Sequence, residues 1–236
     1  MTAGVTHAFV DQLGQRAQQA EELRRLPAAT VAELIESGFF DLLRPAHRLV
    51  KVSDIYAGTA PGALLHDAAV YRWPLIPALA LVAAMPALGA AERVTEIFAE
   101  RLGERVLTYE GATQKDKPAA QARLAEARVR LRALHGLLAD TTGRIDQTLA
   151  AGNRVPRPVR ADARLAAAHI VRESRAVIAG LLEASGASAH FLSSPLQRAK
   201  RDVDVLSGHV VFDYDVSREL AGALAIGLKV APTAMV

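Results

Sequence analysis

The stretch Ser194-Pro195-Leu196-Gln197-Arg198-Ala199-Lys200-Arg201-Asp202, followed by Ser207-Gly208-His209, gathers the side chains best suited to acid–base chemistry. His209 can give and take a proton near neutral pH. Arg201 and Asp202 are neighbours, so on a helix they point in different directions and each takes its own partner. A buried ion pair that fixes helix packing is the expectation for them. Asp213 follows His209 by four residues and could orient it, although a carboxylate just ahead of a helix is better placed as its N-cap. Tyr71, Trp73 and Tyr214 are candidate substrate contacts, as is Lys200. A lone Trp more often anchors packing than stacks on a ligand. His135, His169 and His190 show no metal-ligand spacing with one another or with carboxylates. Thr113, Gln114 and Lys115 sit in a polar stretch that could meet an anion.

These groups must be carried by helices. The chain has 236 residues, 51% of them hydrophobic but only 5% aromatic. Small aliphatic side chains in that proportion suit close-packed helices better than a sheet-rich core. A net charge of +3, with basic residues interleaved with acids, excludes a nucleic-acid surface. With no cysteine there is no disulfide, thiolate zinc site or thiol catalysis. The opening Met1-Thr2-Ala3-Gly4 lacks the basic and apolar regions of a signal peptide, so a cytoplasmic location is expected. Leu75 to Ala91 is apolar but short of a span and holds two prolines, which points to a core helix and no membrane.

Helical periodicity predicts helices over Thr6 to Leu26 and Thr30 to Ser37, an N-terminal hairpin with Gly38 at its C-cap. Phe39, Phe40, Leu42 and Leu43 follow as an apolar knot, and Arg44 to Val52 is the only strand candidate, with partial alternation over Leu49 to Val52. Ser53 to Trp73 reads as loop around the Gly58 to Gly62 turn. A long helix then runs from Pro74 to Leu102, kinked at Pro86. Pro118 suits the first turn of the next helix, whose seam is Leu124, Leu131, Leu138 and Ile145, with Leu134, Thr141 and Thr148 between. Gly152-Asn153 stops it. Val159 to Ser185 has apolar residues on two faces (Ala168, Val171, Arg175, Ile178 and Leu182; then Ile170, Val177 and Leu181), the pattern of a helix with several neighbours, including ones from another subunit. Helices over Pro195 to Leu206 and Asp213 to Leu228 complete the chain. The fold class is therefore all-α: an antiparallel four-helix bundle over residues 74–236, a linker with a remnant strand over 45–73, and the helical hairpin over 1–44.

Pro74 to Phe98, Lys117 to Ala127 and Pro195 to His209 resemble the C-terminal helical domain of the acyl-CoA dehydrogenase superfamily, closest to its flavin-dependent monooxygenases, the oxygenase components of two-component hydroxylases. Ala20 to Leu43 is similar to the opening of such enzymes, and Pro45 to Gly62 to their last strand and exit loop. The resemblance implies that His209 lines a site beside flavin and substrate, and that Arg201 and Asp202 are the family's Arg-Asp pair. Lys200 stands where the family usually has an apolar or aromatic residue, which marks a newly solvated face. In the family a β domain lies between the pieces matched here. Leu43-Arg44 runs almost directly into the final strand, so the resemblance implies a deletion near Arg44-Pro45 that removes most of that domain. Because the β domain walls the flavin ring, its loss implies a protein without flavin.

The expectation is a tailoring enzyme of bacterial secondary metabolism, cofactor-independent, performing cyclisation, isomerisation or dehydration on an apolar polyketide or aromatic intermediate. One alternative is a flavin-dependent monooxygenase or dehydrogenase, with FAD or FMN, completed by another chain. Another is a non-catalytic partner subunit of an intact homologue. Bundle faces once covered by the β domain predict a homo-oligomer, at least a dimer.

Overall fold

In the computed structural model, α5 (Arg157–Glu183) is the axis around which the helical domain is assembled. The structure describes residues 16–23, 26–36, 54–55, 58–59, 68–104, 114–231 and 234–236. The chain divides into two units, residues 1–49 and 50–236. In the first, α1 (Ala17–Leu23) and α2 (Ala28–Glu36) fall on the two expected helices, residues 6–15 and 24–25 of the first lying outside the described residues. Arg16 holds them with two hydrogen bonds to the Glu33 carboxylate, at 2.7 and 2.9 Å. The expected strand over Arg44 to Val52, the knot of Phe39 to Leu43 and the Gly38 cap lie outside the described residues, and no strand occurs among those that are described.

In the second unit α3 (Leu75–Glu104), α4 (Pro118–Ala150), α5, α6 (Pro195–Ser207) and α7 (Tyr214–Ala225) follow one another, with 3₁₀ turns at Ala69–Arg72, Gln114–Asp116, Ala187–His190 and Val210–Phe212. α3 passes unbroken through Pro86. α4 begins with Pro118 at its first position and ends where Gly152 adopts φ 74°. A residue without Cβ takes that left-handed turn at no steric cost. The α4 seam turns inward: Leu131, Leu134, Thr141 and Ile145 are buried.

α5 packs on α3, α4, α6 and α7. Its closest partner is α3, where Ala80, Ala84, Ala87 and Ala91 recur on one buried face, and α5 buries Ala163 and Ala167. Small side chains at such a crossing let the helix axes approach. Larger residues fill the rest of the core: Phe98, Ile145, Ile170, Ile178, Leu181 and Leu196 are fully buried. Each contributes about 1.5–3 kcal/mol through removal from water. The two apolar faces of α5 are therefore covered by neighbours in the same chain. Arg175, placed on an apolar face by periodicity, is exposed.

Candidate functional site

α6 is an amphipathic helix that puts Leu196 and Val203 into the core and turns Arg201, Asp202 and Val205 outward. Gly208 caps it, and His209 opens the 3₁₀ turn that follows. His209 is exposed. Its Nδ1 accepts the Val211 N–H at 3.2 Å, and its ring meets Phe212 edge-on, with centroids 6.2 Å apart. In the neutral imidazole this bond leaves the proton on Nε2, so the ring presents an N–H outward. Val210, the next residue in the chain, is 59% exposed, and Val205 on the last turn of α6 is 78% exposed. Asp213 does not orient His209: its Oδ1 accepts the Val216 N–H at 3.0 Å as the N-cap of α7.

Behind the turn lies Arg164 of α5, only 2% exposed. Its Nη2 donates to the Val210 carbonyl at 3.1 Å, its Nε to the Val211 carbonyl at 3.3 Å, and its Nη1 to the Met235 carbonyl at 2.8 Å. Burial pushes its guanidinium below the ordinary value, with Asp213 pulling the other way. Periodicity did not single this residue out. A signal was present, since Arg164 interrupts an Ala-rich stretch in register with Ala168 and Val171.

The other candidates fall into separate groups. Trp73 donates from Nε1 to Asp146 Oδ1 at 2.8 Å, which is the anchoring role expected of a lone Trp. Tyr71 is exposed on the 3₁₀ turn ahead of α3. Lys200 is half-buried rather than freely solvated, and binds Asp204 at 2.6 Å. Asp204 also accepts from Arg175 Nε at 2.7 Å. Burial raises its carboxyl, but the hydrogen bonds from Lys200 and Arg175 outweigh that and hold it below the usual carboxylate range. Tyr214 lies under two guanidinium groups, with Arg172 at 4.5 Å and Arg218 at 5.0 Å from its ring, and its hydroxyl meets His169 Nδ1 at 3.3 Å. Arg201 and Asp202 are exposed, which corrects the expected buried ion pair: both project from the solvent side of α6. His135 contacts Glu92 at 2.5 Å. Thr113 lies outside the described residues, and Lys115 is exposed. No group of three or more metal-ligating side chains occurs among the described residues.

A chain of contacts sets which of these share an end of the bundle. Trp73, ahead of α3, bonds Asp146 near the end of α4. Arg144 pairs with Asp162 near the start of α5 at 3.5 Å. Arg164, half a turn on, holds the turn after α6. Trp73 and His209 therefore belong to one end. Arg101 and Ser188, bonded at 3.0 Å, mark the other.

A family model for the acyl-CoA dehydrogenase C-terminal domain matches residues 81–214. The chain belongs to this family. It is 29% identical over 190 residues to the pigment production hydroxylase of Rhodococcus sp. (strain ATCC 21145), covering 80% of this chain and 49% of that one. It is 29% identical to a flavin-dependent monooxygenase oxygenase subunit of Rhodococcus jostii (strain RHA1), covering 82% and 51%. The crystal structure of a 3-HSA hydroxylase from Rhodococcus sp. RHA1 superposes with a TM-score of 0.73 at 30% identity, over 81% of this chain and 50% of that one. The chain thus spans about half the length of these relatives. These relatives are hydroxylases or flavin-dependent monooxygenases by name, and they lend nothing to the expected cyclisation or to a tailoring role in secondary metabolism.

Flavin is the cofactor the family implies. Its flat ring asks for a wall on each face and polar partners at its rim. The exposed Val210 and the Nε2–H of His209 offer one face to such a ring. Their exposure makes that face an open edge of the bundle, so by themselves these residues do not enclose flavin.

Proposed function

We propose that this chain is the helical component of a flavin-dependent monooxygenase, in which a second chain supplies the other wall around FAD or FMN. The observation that carries this reading is the match to hydroxylase oxygenase components over four-fifths of this chain and half of theirs, together with a site that presents one face only. The substrate class is a small aromatic molecule. His209 supplies proton transfer from Nε2, and the exposed apolar Val210 orients the ligand. Trp73 and Tyr71, at the same end of the bundle, would border the substrate. Arg201, Asp202, Lys200 and Tyr214 serve as structural or rim groups, given their partners and exposure. The complex is cytoplasmic and oligomeric.

Visible absorption of the purified chain is measured during titration with FAD, FMN and reduced flavin, alone and after co-expression with an intact hydroxylase of this family. Saturable flavin binding in the co-purified complex beyond what the intact hydroxylase binds alone is expected, and His209→Gln in this chain should then remove at least nine-tenths of the hydroxylation gained by adding it. If the intact hydroxylase binds flavin and turns over identically with and without this chain, the reading fails.

A further inference from the structure

The peptide unit between Val210 and Val211 is gripped on both edges. Its carbonyl accepts from Arg164 Nη2 at 3.1 Å, and its N–H donates to His209 Nδ1 at 3.2 Å. The next carbonyl, Val211, accepts from Arg164 Nε at 3.3 Å. The same peptide is further fixed within the turn, where the Asp213 N–H donates to the Val210 carbonyl at 3.3 Å, and the peptides on either side are joined by the Phe212 N–H donating to the His209 carbonyl at 2.8 Å. A planar peptide transmits orientation from one edge to the other, because rotating the carbonyl rotates the N–H with it.

We propose that Arg164 is a positioning residue for His209: by holding the Val210 and Val211 carbonyls it aims the Val211 N–H at Nδ1, and so selects the Nε2–H tautomer and the direction in which that proton points. This rests on reading His209 as the proton-transfer group, and it adds the residue that sets its geometry. A buried guanidinium is costly to desolvate unless every donor finds an acceptor. Here the acceptors are neutral carbonyls, and two of the three belong to the turn that carries His209. A hydrophobic side chain of similar volume would fill the space, but it would not grip the turn. The third donor, Nη1, holds the Met235 carbonyl at 2.8 Å, which ties residues 234–236 to the same anchor. Arg157 continues that strap, donating to the Val230 and Ala231 carbonyls at 3.3 and 2.7 Å.

Nitrogen-15 NMR of the full chain, labelled at histidine and assigned with His209→Gln, reads the tautomer directly. In the wild-type protein the His209 signals should show Nδ1 as an unprotonated acceptor and Nε2 as the protonated nitrogen. In Arg164→Met the single tautomer should be lost to a mixture, while the signals of His135, His169 and His190 stay in place as a check on the fold. Arg164→Lys keeps the charge but offers one compact donor group in place of a fork, so it should give a smaller admixture of the second form. An Nδ1–H tautomer in the wild-type protein overturns the proposal. So does a single Nε2–H tautomer retained in either folded variant. Flavin takes no part in this readout, so a failed flavin titration leaves the result standing, and an unchanged tautomer leaves the monooxygenase reading intact.

Discussion

Asp204 is held from two helices, since Lys200 lies one turn back on α6 and Arg175 lies on α5. Its folded-state carboxyl titrates below the ordinary value, so it stabilises the fold above the unfolded carboxylate pKa of about 4. That contribution is lost as pH falls through the folded value. Its side chain is about one-third exposed, which screens the pair, and a contribution of about 0.5–1 kcal/mol is expected. Asp204→Asn should therefore lower the melting temperature by a few degrees near pH 7, with the difference from wild type shrinking as pH falls through the lowered folded-state value of Asp204. An offset that persists in acid would mean that the amide disturbs packing instead. His209 was legible as a candidate from its residue type and from the resemblance. Its hydrogen bond to Val211, which chooses the tautomer, depends on the dihedrals of a turn that no spacing rule specifies. Arg201 and Asp202 show the reverse case: the residue types suggested a buried pair, and the rotation of α6 about its axis turned them to solvent.

The helices were legible because their signals are local. Pro118 at the first turn of α4, Gly152 at its end and the seven-residue seam between are each readable within a few residues. The glycines separate two kinds of constraint. Gly58 has φ 68°, and a Cβ there would lie 2.0 Å from the Arg72 carbonyl oxygen. Gly152 has φ 74°, with nothing within 4 Å of a Cβ. Gly152→Ala should cost only the conformational penalty, about 1–2 kcal/mol. Gly58→Ala carries a similar penalty and adds a backbone clash, so it should lose more, on the order of 3 kcal/mol or above. Thermal denaturation of the two variants side by side measures the difference, and equal losses would mean that the Gly58 turn moves away from Arg72 without cost. The strength of α5 was not visible in any one window. Its apolar residues on two faces implied several neighbours, but which helices cover them depends on chain topology.

For the whole molecule, the exposed apolar residues Leu79 and Val82 on α3, 51% and 71% accessible, keep self-association as the expectation. Light scattering at micromolar concentration should give at least twice the 25.1 kDa chain mass, and a monomer would remove the oligomer from the proposed function. α3 is also long and apolar enough to cross a membrane by length and composition, with mean hydropathy 1.7 over the relevant window. That window is 44% buried inside the protein, against α5 and its neighbours, as a core helix would be. Composition, periodicity and the Pro and Gly punctuation determined the all-helical class and the helix order, because these follow from interactions within one or two turns of chain, and the stretches Pro74 to Phe98, Lys117 to Ala127 and Pro195 to His209 carried the family resemblance. Tertiary structure alone decided that Arg164 sits behind His209, that Asp204 binds across two helices and that the His209 face is open. Those outcomes depend on the packing of α5, α6 and the segment at 234–236 against one another, contacts between residues tens of positions apart whose pairing no local pattern encodes.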